Sequence, residues 1–181
     1  MDLVTKAIHF ASIAHKGQER NTTGAPFIAH PFAVGMMLAT EGYKPEVVAA
    51  GILHDVWEDT DIELEEITKE FGEEVSKLVW YASEPDRNKS WEERKQHTID
   101  FIKNAPIEAK LVIVADKIHN VTSVLVDKEK YGDRVWDSFK RGNEQQKWYY
   151  TSIYNSLCEG IEKNEQPRLF YVYKTLLGEL F

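Results

Sequence analysis

Apolar positions recur along this chain at intervals of three and four, and no run alternates with period two as a half-buried strand does. Leu3, Ala7, Ile8, Ala11 and Ala14 mark one face of a helix over roughly residues 2–15, which Gly17 stops. Residues 17–29, rich in Gly, Thr, Asn and Pro, read as a loop. A second helix opens at Pro31 and ends near Gly42, and Pro45 opens a third. Thr60 and Glu63 have the spacing of a capping box for a fourth helix ending near Gly72, and a short helix follows over about 73–82. Ser83 to Lys89 is polar and reads as a loop. Ser90-Trp91-Glu92-Glu93 is a second capping box, opening a helix that reaches about Asn104. Pro106 opens a long apolar helix to about Val126, residues 127–137 form a charged connector, and two last helices cover about 138–164 and 167–179. The pattern predicts an all-α fold, a compact bundle of roughly eight to ten helices, in a single domain over residues 1–181.

Composition narrows the function. With 43% apolar residues the chain can bury a real core, and no apolar run approaches the ~20 residues of a membrane span. Residues 1–15 carry Asp2, Lys6 and two His and do not resemble a signal peptide. The single Cys158 rules out an internal disulfide and suits a reducing cytoplasm. A net charge of −8 argues against nucleic acid as a partner, since that calls for a basic face. A small anionic ligand stays compatible, because a bound cation reverses the field locally.

The chemistry concentrates in Gly51-Ile52-Leu53-His54-Asp55-Val56-Trp57-Glu58-Asp59-Thr60. On an unbroken helix His54 lies under Glu58 and Asp55 under Asp59, so one imidazole and three carboxylates share a patch flanked by Val47, Val48, Ile52, Leu53 and Val56. Clustered anions in an apolar setting need a compensating cation or protons, and a divalent metal is the simplest. Two further residues extend the set. His30 precedes Pro31 at the mouth of a helix, and Asp116 sits inside Val112-Ile113-Val114-Ala115-Asp116-Lys117. Asp116 taken alone is open to a second explanation, an ion pair with Lys117 or a neighbouring helix. His30, His54, Asp55 and Asp116 together form a mixed nitrogen and oxygen set, suited to one divalent ion such as Mn, Fe, Zn or Mg.

In this order, His30, His54-Asp55 and Asp116 resemble the H…HD…D signature of the HD metal-dependent phosphohydrolases. Ala14-His15-Lys16-Gly17-Gln18-Glu19-Arg20, Gly24-Ala25-Pro26-Phe27-Ile28-Ala29-His30-Pro31, Leu53-His54-Asp55-Val56-Trp57-Glu58-Asp59-Thr60 and Ala115-Asp116-Lys117-Ile118-His119-Asn120 resemble the motifs of the RelA/SpoT-type alarmone hydrolases, and the chain's length is similar to the small stand-alone members. The resemblance implies an HD-type helical bundle. It implies one divalent ion, usually Mn, held by His30, His54, Asp55 and Asp116. It implies that Glu58 and Asp59 sit beside the metal as the catalytic pair, and that the reaction is release of pyrophosphate from the 3′ position of guanosine tetra- or pentaphosphate. Another nucleotide as substrate is the competing reading, and a scaffold that only senses nucleotides a third.

Substrate contacts follow with less constraint. The resembled loop holds the guanine base and nearby phosphate, which points to Arg20 and to Thr23, a small hydroxyl residue. Asn120 lies one turn beyond Asp116 and either reaches the ribose or metal shell or makes a helix–helix hydrogen bond. In Lys147-Trp148-Tyr149-Tyr150 a lysine and an aromatic three apart suit phosphate and sugar or base, making Lys147 and Tyr150 candidates against a purely core role. His15 reads as a brace for the loop rather than a metal ligand.

Overall fold

The computed structural model describes residues 1–20, 24–84 and 89–181. Among them are ten α-helices: α1 (Leu3–Ala14), α2 (Ala29–Thr40), α3 (Pro45–Leu53), α4 (Val56–Asp59), α5 (Leu64–Phe71), α6 (Glu73–Ala82), α7 (Trp91–Lys103), α8 (Ile107–Tyr131), α9 (Gly142–Cys158) and α10 (Arg168–Leu180). Two 3-10 segments, Gly132–Ser138 and Lys163–Glu165, complete the regular structure, and the described residues hold no strand beyond a single bridge between Glu19 and Pro26. The all-α expectation holds. No helix of the described residues is long and apolar enough to cross a membrane.

The chain divides into two compact units, Met1–Arg87 with Pro106–Asp116, and Asn88–Ala105 with Lys117–Phe181. The first is built on α1, α2 and α3. Every residue from Val47 to Leu53 is buried, so α3 is apolar all round, as a helix enclosed by its neighbours must be. Ala7 and Ala11 are fully buried, and their small side chains let α1 press on α3; Ile8, expected on that face, is 36% exposed. Two glycines bring α2 and α3 together. A Cβ on Gly35 would overlap Ile52 Cγ1, and one on Gly51 would meet Leu38 Cδ1 at 2.5 Å. This close approach matters because α2 carries His30 in its first turn and α3 leads directly into His54.

The second unit packs α9 against α7 and α10. The Ser90 capping box is fully formed: Glu93 N–H donates to Ser90 Oγ and Ser90 N–H to Glu93 Oε2. Ile102, Ile153, Leu157, Phe170 and Tyr173 are buried, and Tyr173 OH donates to the Tyr150 carbonyl at 3.0 Å.

Several expected boundaries move. The helix opened at Pro45 does not run through the acidic segment; it stops at Leu53, and a separate single turn, α4, begins at Val56. His54 Nδ1 donates at 2.8 Å to the Gly51 carbonyl, the group that the N–H of residue 55 takes in an uninterrupted helix. The Thr60–Glu63 capping box does not form. Thr60 Oγ1 instead donates to the Val56 carbonyl at 2.7 Å and accepts from Ile62 N–H at 3.2 Å, while α5 starts at Leu64 without a side-chain cap. The long helix α8 extends into the first part of the expected connector, as far as Tyr131, the 3-10 segment Gly132–Ser138 takes up the rest, and α9 is shorter than the segment predicted for it.

Because neither glycine site between α2 and α3 can take a Cβ without displacing a packed side chain, Gly35→Ala lowers stability by about 1–3 kcal/mol, measured as a lower urea midpoint with an unchanged slope.

Candidate metal centre

Three segments of the first unit deliver the site. The first turn of α2 supplies His30, the break after α3 supplies His54 and Asp55, and α8 supplies Asp116. His30, His54 and Asp116 are buried, and one ligand atom from each lies within 4.8 Å of the others. His30 Nε2 is 3.2 Å from Asp116 Oδ1 and 3.4 Å from Asp55 Oδ2. His54 Nε2 is 3.2 Å from Asp55 Oδ1 and 3.7 Å from Asp116 Oδ1. Asp55 thus turns one oxygen to each imidazole. All four residues expected as ligands meet at one place.

The donor set fits a divalent cation. Since the Gly51 carbonyl can only accept, His54 Nδ1 carries a proton, which leaves Nε2 as the nitrogen that faces the cluster and would ligate a cation. That Nε2 is buried and makes no hydrogen bond. A buried imidazole whose far nitrogen is held by a backbone carbonyl is the usual posture of a metal-ligating histidine.

Protonation reflects the crowding. Burial pushes His30 down to about 4, against the pull of Asp116. Burial also opposes the charged form of His54, but Asp55 and Asp116 outweigh it and raise His54 to about 9. Burial raises the Asp55 carboxyl to about 7 against the attraction of His54, and the charges of Asp116, Asp59 and Glu58 push the same way. Without a cation, protons do the neutralising.

Glu58 and Asp59 lie on α4, close enough for their charges to act on Asp55. Glu58 is partly buried and its Oε2 accepts from Glu84 N–H at 2.8 Å. Asp59 is exposed, and both carboxylates line an open cleft with Ala14, Gln18, Thr60 and Asp61. They adjoin the centre rather than stacking on His54 and Asp55 along one helix. Arg20 lies 5.8 Å from the Phe27 ring centroid, and its charge works against protonation of His30. Thr23 lies outside the described residues. Asn120, Lys147 and Tyr150 belong to the second unit. Asn120 is partly exposed, Lys147 is exposed, and the Tyr150 ring is 7% exposed, packed with Tyr149 and Phe181.

Some contributors went unassigned in the sequence. Gln18, in the segment Ala14-His15-Lys16-Gly17-Gln18-Glu19-Arg20, donates through Nε2 to the Asp59 carbonyl at 2.7 Å and accepts from His15 Nδ1 at 2.8 Å. Ser83 Oγ donates to the His54 carbonyl at 3.1 Å, and Glu84 holds Glu58 through its backbone; nothing in the local sequence marks either.

A cluster of two buried imidazoles, the buried Asp116 and the partly exposed Asp55, gathered from helices and a helix break, defines this as an all-α protein with a candidate divalent-metal site. The sequence model described as HD domain matches residues 7–138, and the chain belongs to that family. It is 35% identical over 137 residues to the guanosine-3′,5′-bis(diphosphate) 3′-pyrophosphohydrolase of Borreliella burgdorferi, covering 73% of this chain but only 20% of that protein. It is 33% identical over 122 residues to the protein of the same activity named MESH1 in Danio rerio, covering 66% of this chain and 67% of that one. The crystal structure of lmo0812 from Listeria monocytogenes EGD-e superposes with a TM-score of 0.79 at 42% identity, over 84% of this chain and 98% of the other.

Metal binding must displace protons from this centre, so affinity depends on pH. The Asp55 carboxyl, raised to about 7, is protonated below that value and ionised above it. Mn affinity therefore increases between pH 6 and pH 8, by about tenfold through Asp55 and further through His54, which is held near 9 and must also give up a proton to ligate, and His54→Ala or Asp116→Ala weakens it at least about tenfold at either pH. Equilibrium dialysis with metal quantification checks both.

Proposed function

We propose that this chain is a divalent-metal-dependent phosphohydrolase, with Mn as its cation, that releases pyrophosphate from the 3′ position of guanosine tetra- and pentaphosphate. With the tetraphosphate and one water, the products are GDP and pyrophosphate. The reading is carried by one juxtaposition: buried His30, His54 and Asp116 clustered with the partly exposed Asp55, and the Glu58-Asp59 carboxylates at the edge. The activity for which the Borreliella and Danio relatives are named supports the substrate. The match of the family model across residues 7–138, and a helix α8 continuous through both units, support a single functional domain over 1–181. A lone cysteine supports a cytoplasmic setting.

In this proposal His30, His54, Asp55 and Asp116 hold the cation. When bound, the cation supplies Lewis acidity at a phosphoryl oxygen and a more acidic water. Glu58 and Asp59 take the proton from the attacking water and return one to the departing oxygen. Glu84 N–H fixes Glu58 through Oε2, which aims the carboxyl. A chain of net charge −8 must locally reverse its field to admit a polyphosphate. Arg20, whose charge reaches His30, does so as a fork onto phosphate or a plane against the base. Thr23, Asn120, Lys147 and Tyr150 complete the proposed contacts. Exposed Lys147 suits phosphate, whereas Tyr150 has only the small exposed part of its surface to offer.

Purified, Mn-loaded protein is expected to convert the tetraphosphate to GDP and pyrophosphate, and to release no orthophosphate from it. Glu58→Gln and Asp59→Asn each cut turnover by about 10²-fold or more while bound Mn stays at the wild-type level. Full activity in both amides, or faster turnover of an unrelated nucleotide, rejects the assignment.

A further inference from the structure

We propose that Gln18 is a positioning residue for the acidic turn, with its own orientation set by His15. The inference rests on reading Glu58 and Asp59 as the catalytic pair. Their turn, α4, has four residues. A single turn of that length does not hold itself, because nucleating a helix costs more than one or two hydrogen bonds return. Its last carbonyls are also those a helix leaves without internal partners. Asp59 O is one of them, and Gln18 Nε2 donates to it at 2.7 Å, from 41 residues earlier in the chain.

That one bond orients two side chains. A carbonyl only accepts, so the amide nitrogen of Gln18 faces Asp59 and Oε1 faces the other way. Oε1 lies 2.8 Å from His15 Nδ1, and because it too only accepts, Nδ1 carries the proton. His15 is 2% exposed, and its Nε2 is buried without a hydrogen bond. The imidazole is therefore committed to Gln18. The backbone clamps the same pair: Gln18 N–H donates to the His15 carbonyl at 3.1 Å, and Phe27 N–H to the Gln18 carbonyl at 2.9 Å. The Phe27 ring sits 4.9 Å from the His15 ring, centroid to centroid. The result is a relay from the end of α1, through one amide, to the backbone beneath Asp59. It touches neither catalytic carboxylate.

Gln18→Glu is nearly isosteric and still accepts from His15, but it sets an acceptor against the Asp59 carbonyl. It lowers kcat by about 10- to 100-fold, with KM for the tetraphosphate within about twofold and Mn affinity at the wild-type value. His15→Leu falls to the same level, His15→Asn restores kcat by returning an N–H to the Nδ1 position, and the double variant Gln18→Glu/His15→Leu is no worse than either single. In substrate-free, Mn-loaded protein, amide hydrogen exchange over residues 57–62 speeds up by about tenfold or more in Gln18→Glu and His15→Leu. Wild-type exchange in both overturns the relay, as does a double variant whose losses multiply or a loss of Mn affinity that parallels the loss of kcat. The exchange measurement needs no substrate, so it decides the relay even if the wild-type protein leaves the alarmone intact, a result that would overturn the functional reading alone.

Discussion

The structure depends on one electrostatic constraint. Two buried imidazoles, the buried Asp116 and the partly exposed Asp55 are gathered at one point, with contacts of 3.2 to 3.7 Å between acid and base. An uncompensated charge left in such a place costs about 3–5 kcal/mol. Protons meet that cost in part, which is why Asp55 is held up near 7 and His54 near 9. A divalent cation meets it better, because it engages all the lone pairs at once and removes the repulsion between the carboxylates. The site is thus a source of instability that becomes a binding energy.

Holding that cluster together is the work of close helix packing. Gly35 and Gly51 let α2 and α3 approach until their side chains interlock, and this sets His30 against His54. Leu53, His54 and Asp55 then behave differently in succession: the first is core, the second turns its ring onto the Gly51 carbonyl, and the third leaves the helix. The break separates Glu58 and Asp59 from the helix that leads into His54. It lets them stand at the edge of the centre, within reach of its charge and open to a cleft. The candidate ligands and the two carboxylates at the edge of the cluster are thereby carried on separate pieces of chain.

The acidic turn is secured from outside, by the Glu84 backbone on Glu58 and by the Gln18 amide beneath Asp59. Both contacts are long-range in sequence and use generic groups, an N–H and a carboxamide. They add no charge to a centre that already has too much. Arg20, on the loop that follows α1, is a cation whose charge acts on His30.

Much of this was legible in the chain itself. Local patterns largely determine helices, so the all-α class, the Ser90 capping box and the starts of α3 and α7 were visible from spacing alone. The candidate cluster was visible too, since His54-Asp55 in an apolar run and Asp116 in a buried helix are costly to bury without partners. Tertiary structure decided what local patterns do not encode. It ended α3 at Leu53, because a side chain took up a helical carbonyl, and it dissolved the Thr60–Glu63 cap, because the Thr60 hydroxyl found the Val56 carbonyl closer. It gave Gln18, Ser83 and Glu84 their roles, because a single amide, hydroxyl or backbone N–H has no signature until its partner arrives from elsewhere in the chain. Composition and periodicity specify which groups are costly to bury; only the folded chain decides which neighbours relieve the cost.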